Sequence, residues 1–366
     1  MSSIVIQGDT SGSITVEAPS VAGTHTLTLP KATGNIATDA TVGLGTKNRI
    51  INGNMVIDQR NAGASVTPSS SLTYTLDRWR ADMSVGSKFS VQQVADAPSN
   101  FVSSLKVTST SAYTVGAADY FAISQQIEGY NVADIGFGTS GAKNITLSFW
   151  VKSSLTGTHG GIFNNQGDSQ LYPFSYTISS ANTWEQKTIN IPARTVGTWA
   201  TNNTASMRLQ WFIGLGSNYY GTVNQWNTSS IYGVSGQTNV VATNAATWYV
   251  TGVQLEVGEN ATPFEHRMYS QELAMCQRYY ESGTRNFYGS TDSSGNIVSE
   301  ETFKVVKRTT PTMVYGTWSW SRSGLTGTGA LNNYQTNTNK WSGYIGTSLA
   351  FAAAFSGGAW TASSEL

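Results

Sequence analysis

The stretch Ile145-Thr146-Leu147-Ser148-Phe149-Trp150-Val151 alternates between apolar and mostly polar side chains. Ile145, Leu147, Phe149 and Val151 fall on one face, and Thr146, Ser148 and Trp150 on the other, the period-two signature of a half-buried antiparallel strand. Met207 to Ile213 repeats the pattern with Met207, Leu209, Trp211 and Ile213 inward, and Trp248 to Val257 supplies a closing strand. Strand-like runs recur between turn signals from Asn48 to about residue 258, with almost no helical periodicity. This texture predicts a two-sheet jelly-roll sandwich over residues 45–265, with Phe149, Trp211 and Trp248 in its core.

The flanks read differently. Residues 1–44 hold short alternating runs at Ser13–Val16, Thr26–Leu29 and Asn35–Thr38, each with about two apolar residues. So thin a set of side chains cannot close a core alone, which predicts an N-terminal short-strand anchor that shares its core with other copies of the chain or orders on a partner. Residues 266–282 contain the one expected helix, HRMYSQELAMCQRYYE at 266–281, with Met268, Glu272, Cys276 and Tyr280 on a face beside Tyr269 and Leu273. Residues 283–366 read as a C-terminal β-domain with strands at Thr302–Val306 and Pro311–Trp320 and a hairpin turn at Asp292–Asn296. The fold class is therefore mostly β: anchor, central jelly roll, one helix, C-terminal β-domain.

Composition narrows the function. Charged residues make up 11% of the 366 residues, while hydrophobic residues reach 39% and aromatics 11%, which excludes charge-driven disorder. Lys plus Arg and Asp plus Glu both stand at 21, and no segment is cationic enough to grip nucleic acid. The opening MSSIVIQGDTSGS has neither region of a secretory signal, and no long uncharged apolar run occurs. The chain is thus expected to be made in the cytoplasm, soluble and without membrane insertion. One cysteine, Cys276, excludes an internal disulfide framework, and His25, His159 and His266 lack metal-ligand spacing.

Catalysis needs convergent acids, a nucleophile with its base, or a metal. The acids of the sandwich are Asp58, Asp77, Asp82, Asp96, Asp119, Glu128, Asp134, Asp168, Glu185 and Glu256, and none falls in a catalytic motif. Asp77, beside Arg78 and Trp79, reads as ordering a strand start. Glu265 with Arg267 reads as electrostatics at the helix start, and Cys276 as a core or interface thiol. No enzyme and no cofactor is expected. Sugar binding asks only for rings that stack on C–H faces and for polar groups that bond hydroxyls. Tyr219, Tyr220 and Trp226 in GLGSNYYGTVNQWNTSS are candidates from the sandwich. Trp318, Trp320, Trp341 and Tyr344 are candidates from the C-terminal section.

Several segments carry a family resemblance: Asn48–Met55, Asp58–Arg60, Leu76–Trp79, LSFWVKSSLTGT at 147–158, WYVTGVQLEVGENATPFEHR at 248–267 and ELAMCQRYYE at 272–281. Together with APSVAGTHTLTLPKATGNIAT near the N-terminus, they resemble the signature segments of tailed-phage tail-fibre and receptor-binding proteins. The last 85 residues match loosely, at TFKVVKRTTPTMV. The resemblance implies a homotrimeric virion appendage made in the host cytoplasm, joined to tail proteins through residues 1–44, with a carbohydrate-binding-module-like jelly roll that recognises host-surface glycan. Such jelly rolls often hold calcium with an acidic residue where Thr251-Gly252 stands here. That leaves calcium in doubt, with Asp58 and Glu256 as remaining candidate ligands. The rivals are a purely structural virion decoration protein and a glycan depolymerase. Because the resemblance fades after Glu281, the target-specific chemistry is expected beyond it, with 283–366 as the tip.

Overall fold

The computed structural model describes residues 3–7, 13–17, 47–290, 296–322, 325–346 and 353–366. The chain divides into two units, 1–44 and 45–366. In the first, β1 (Ser3–Gln7) pairs antiparallel with β2 (Ser13–Glu17), in a register that sets Ile4 against Val16 and Ile6 against Ile14. The sequence reading found β2 and missed β1; its runs at 26–29 and 35–38 lie outside the described residues.

The second unit is built on a jelly-roll sandwich. Its strands in chain order are β3 (Thr73–Leu76), β4 (Trp79–Met83), β5 (Phe89–Val94), β6 (Ser104–Ser109), β7 (Tyr120–Glu128), β8 (Ile145–Ser153), β9 (Gly157–Asn165), β10 (Leu171–Ile178), β11 (Glu185–Ile191), β12 (Ala205–Leu215) and β13 (Thr247–Val257). Six of them form a sheet in the order β10-β9-β12-β7-β4-β3, and five form the facing sheet β11-β8-β13-β6-β5. The alternation in β8 and β12 puts Leu147, Phe149, Leu209 and Trp211 between the sheets, all 0% exposed. There Trp211 meets Trp79, Phe149 and Trp248 at ring-centroid distances of 5.8, 5.2 and 6.1 Å.

The segment Asn48–Met55 ties the closing strand β13 to the residues just before β4. The Asn48 side chain accepts from Ile50 N (2.9 Å) and Leu255 N (3.1 Å), and donates to Val253 O (3.0 Å). Asn52 takes φ +58°, tolerable for asparagine, and its amide donates to Ile57 O (2.8 Å) and Asp77 O (3.0 Å) while accepting from Ile57 N (3.0 Å). Gly53 between them is obligatory on steric grounds, since a Cβ there would stand 2.2 Å from Val253 O.

The expected helix is present and shorter, α1 (Tyr269–Gln277). Of its expected face Glu272, Cys276 and Tyr280 are buried, and the correction is at its start, where Met268 and Tyr269 are 73% and 63% exposed. Glu272 can be buried there because it accepts the backbone N–H of Asn52 and lies 3.5 Å from Arg267, so its charge enters the interior with partners. Cys276 packs with Ile51, Ile57 and Tyr279, and burial pushes its thiol up. No helix among the described residues is long and apolar enough to cross a membrane.

After the helix come β14 (Tyr280–Ser290), β15 (Asn296–Thr302), β16 (Thr312–Tyr315), β17 (Thr317–Arg322), β18 (Leu325–Ala330), β19 (Asn332–Thr336), β20 (Lys340–Gly346) and β21 (Ala353–Ser363). The strand expected at Thr302–Val306 is not formed beyond Thr302; Phe303 N instead donates to Asn339 O (2.8 Å) and Lys304 N to the Glu281 carboxylate. The expected strand at Pro311–Trp320 is split at Gly316, and the Asp292–Asn296 turn lies largely outside the described residues. This β-section stays within the unit of the sandwich. Glu365 bridges Arg60 and Arg78, Lys307 pairs with Glu281 (2.5 Å), and Arg278 with Glu128 (2.5 Å).

Asp77 sits at the same junction, accepting from Gln59 N and Nε2 (2.7 Å each), and burial pushes its pKa up to about 6. A carboxyl raised in the folded state adds stability that is complete at low pH and is lost as pH rises from the unfolded value through about 6. Urea unfolding of the wild type and Asp77→Asn at pH 4 to 7 is expected to show their stability difference changing by up to about 3 kcal/mol across that window. A difference independent of pH would refute the assignment.

Candidate functional site

On the face of the six-stranded sheet turned away from the core, alternation exposes a second set of side chains. Register puts Arg80 of β4 beside Ser124 of β7, and Ser124 beside Gln210 of β12, so the three form one row across the sheet. Asp82 lies next in β4 and is 4% exposed. Its Oδ2 accepts from Ser124 Oγ (2.5 Å) and Gln210 Nε2 (3.1 Å). Its Oδ1 stands 3.1 Å from Arg80 Nε, but that N–H is aimed at Ser124 Oγ (3.2 Å), and Oδ1 has no hydrogen-bond partner.

The segment 216–237 folds over the neighbouring half of this face. Tyr232 N donates to Tyr219 O (2.9 Å) and Gly221 N to Gly233 O (2.9 Å), which closes the segment on itself. Its rings then line up: Tyr219 stacks on Tyr232 at 5.1 Å and Tyr232 on Phe212 at 6.1 Å, with Tyr120 edge-on to Tyr219 at 6.5 Å. Between rings and polar row lies a cleft of about 230 Å³, floored by Asp82, Gln210 and Phe212 and walled by Tyr120, Tyr219 and Tyr232. Ser71, Leu72, Asp168 and Arg208 complete its lining. Arg208 and Asp168 are ion-paired, and Leu72 is 59% exposed. Burial, with Asp168 adding to it, holds the Tyr232 phenol above its ordinary range.

The residues expected from sequence to bind are largely elsewhere. Tyr219 lines the cleft. Tyr220 packs beneath it on the apolar half of the sheet, donating to Leu215 O (2.8 Å). Trp226 caps the sandwich end among Phe137, Tyr172 and Trp199 and donates to Pro192 O (2.9 Å). Trp318 and Trp341 are corrected outright: both are 0% exposed, in a second core with Phe303, Leu331 and Trp360. Glycines around them admit the rings. A Cβ on Gly358 would stand 2.5 Å from the Trp318 ring, and one on Gly283 2.8 Å from Trp360. Tyr344, half-buried in β20, is opposite Asn332, and the Trp320 side chain lies outside the described residues.

The cleft residues that sequence reading passed over are Tyr120, Phe212 and Tyr232, and with them Asp82 and Asp168, which it considered only as catalytic acids. The two acids left as candidate calcium ligands serve locally. Asp58 accepts from Asn61 N (3.0 Å) and Gly63 N (2.8 Å), and Glu256 from Thr262 N (2.9 Å) and Thr262 Oγ1 (2.6 Å). Among the described residues no group of three or more His, Cys, Asp or Glu side chains is gathered to hold a metal ion.

No family model and no curated protein matches this sequence. Solved structures to which the chain is similar include the enzymatically active domain of bacteriophage CBA120 tailspike protein 4, at 15% identity and TM-score 0.32, covering 58% of this chain and 21% of that one. The carbohydrate-binding module TmCBM61 in complex with β-1,4-galactotriose is similar at 8% identity and TM-score 0.30, over 58% of this chain and 100% of the module. The family 11 carbohydrate-binding module of a Clostridium thermocellum cellulosomal cellulase aligns at 13% identity and TM-score 0.27, over 55% and 99%. The chain thus spans about a fifth of the tailspike domain's length.

Burial assigns the C-terminal tryptophans to stability. Trp341→Ala is expected to cost about 3–5 kcal/mol in denaturant unfolding, as for other large-to-small core changes. Unfolding unchanged by the substitution would reverse the assignment.

Proposed function

We propose that this chain is a phage tail fibre that recognises host-surface glycan through the cleft on its six-stranded sheet and catalyses no reaction. The observation that carries the reading is the pairing in one concavity of stacked tyrosine rings with a buried carboxylate and amide. Rings accept the C–H faces of a sugar, and the Asp82–Gln210 row accepts and donates hydrogen bonds to its hydroxyls. The tail-fibre role is supported by the resemblance of residues 13–281 to such proteins. Attachment to other tail proteins through residues 1–44 is supported by their β1–β2 pair, which is too small to be stable unaided. The place of action is the virion tail.

A depolymerase is the second reading with an observation behind it, because Asp82 and Asp168 share the cleft. Glycoside cleavage needs two carboxyl groups available to the glycosidic bond. Here Asp168 is engaged by Arg208 and Asp82 lies against Arg80, which favours binding over cleavage. On a glycan array and in host-cell adsorption, Tyr219→Ala and Tyr232→Ala are expected to lower binding at least tenfold with the fold intact, and host polysaccharide should gain no new reducing ends. Binding unchanged in both variants would remove the site, absence of any glycan binding would leave a decoration protein, and new reducing ends would establish the enzyme.

Assembly is the third element of the proposal. Light scattering on the purified protein is expected to give about 118 kDa, three times 39.2 kDa. A monomer at micromolar concentration would rule the homotrimer out.

A further inference from the structure

The cleft is small, and two side chains on its rim keep hydrogen-bonding capacity that a ligand can reach. At about 230 Å³ it falls below the roughly 300 Å³ at which pockets begin to enclose drug-sized molecules. One sugar ring fits that space; a run of them does not. Its lining also comes from both edges of the sheet. Asp168 belongs to the turn between β9 and β10 on one side, and Ser71 and Leu72 precede β3 on the other. A glycan laid across the strands would meet the turn at one end and Leu72, 59% exposed, at the other, while Tyr120, Tyr219 and Tyr232 close a third side.

The turn holds Asp168 in place. Asn165 Oδ1 accepts from Ser169 N (2.9 Å) and Gln170 N (3.0 Å), and Asp168 takes φ +49°, a conformation that aspartate tolerates. Its Oδ1 accepts from Asn164 Nδ2 and Arg208 Nη2, while nothing among the described residues donates to Oδ2. Arg208 uses Nη2 on Asp168 and Nε on Asn164 Oδ1 (3.5 Å), which leaves Nη1 without an acceptor among them. Both side chains are open to solvent, Arg208 at 16% and Asp168 at 40% exposure. Both charges also act on the Tyr232 phenol, which puts the pair beside the ring wall. A carboxylate oxygen and a guanidinium N–H side by side match two neighbouring sugar hydroxyls, one donating to the carboxylate and the next accepting from the guanidinium. Resting on the glycan reading above, we infer that the cleft receives one terminal sugar residue, held by two adjacent hydroxyls between Asp168 and Arg208, with the rest of the glycan chain outside in solvent. Asp168 and Arg208 then determine which sugar is accepted, since only a residue whose neighbouring hydroxyls project along one edge serves both.

The test takes the strongest ligand on a glycan array and titrates its soluble linear series, from monosaccharide to hexasaccharide with one shared terminal residue, calorimetrically into the full chain. Affinity is expected to vary by less than about threefold along the series, because added residues lie outside the cleft. Monodeoxy forms lacking either of two adjacent hydroxyls on the terminal residue are expected to bind about tenfold more weakly, and forms deoxygenated on inner residues as well as the parent. Asparagine suits the backbone of position 168, so Asp168→Asn, like Arg208→Gln, is expected to keep wild-type melting and to weaken the monosaccharide about fivefold or more. In each variant the matching deoxy form should then bind no worse than the parent sugar, a change that mere loosening of the cleft does not produce. Affinity that climbs tenfold or more with chain length, or deoxy losses spread along the chain, would overturn the inference and leave glycan recognition standing. Wild-type affinity in both variants would overturn the roles of Asp168 and Arg208. Silence across the array would overturn glycan recognition itself. Should either variant fail to fold, the length series and the deoxy forms on the wild type still decide whether a chain end is what the cleft holds.

Discussion

The larger unit depends on one polar junction, organised around Asn52. Four elements meet there: the turn Asn52–Met55, the start of β4, the helix α1 and, through Asp77 and Arg78, the last residues of β21's extension. Asn52 bonds Ile57 and Asp77 through its side chain, its backbone N–H reaches Glu272, and its carbonyl receives Trp79 Nε1 (2.9 Å). Each bond is modest by itself, but a buried polar group left unmade costs more than a made one returns. The junction therefore has either all its partners or a large penalty. That explains why a helix with two exposed apolar residues turns a glutamate inward.

The same junction holds the C-terminal β-section to the sandwich. Arg308 donates to Ser364 O (2.8 Å) and Glu365 O (2.7 Å), Glu365 lies between Arg60 and Arg78, and Tyr74 donates to Leu366 O (2.8 Å). Arg78 is 1% exposed and also covers the Tyr279 ring at 3.7 Å. Guanidinium groups suit this role, since each spreads its charge over a planar fork that can serve a carboxylate, a carbonyl and a ring together. The segment expected to be the tip, because the resemblance fades before it, is in this way fastened to the sandwich by buried ionic contacts.

The sandwich was legible because its information is local. Period-two alternation in 145–151 and 207–213 specifies which side chains face inward whatever lies opposite. The helix was legible for the same reason, from helix formers without Gly or Pro, and so was most of its buried face, but not the partner that lets Glu272 in. That partner is Asn52, 220 residues away in sequence. The cleft was illegible in the same sense. Asp82, Ser124 and Gln210 are unremarkable polar residues in three separate strands until register sets them in a row. The tryptophans of the C-terminal section misled for a different reason. A ring among Gly, Ser and Thr reads as surface, yet small neighbours are also what a buried indole needs when its core is only a few residues wide, as around Trp318 and Gly358.

The two sides of the cleft differ in how they are made. The floor belongs to β4, β7 and β12, where any shift of register would disturb the whole sheet. The wall with Tyr219 and Tyr232 belongs to one continuous segment that ties its own ends together through Gly221 and Gly233. Such a segment is a cassette. It can exchange residues between its tie points as long as Asn227 keeps its two bonds to Leu171 of β10 and Trp226 its place in the sandwich end, so variation in what the cleft grips can accumulate there while the scaffold stays the same.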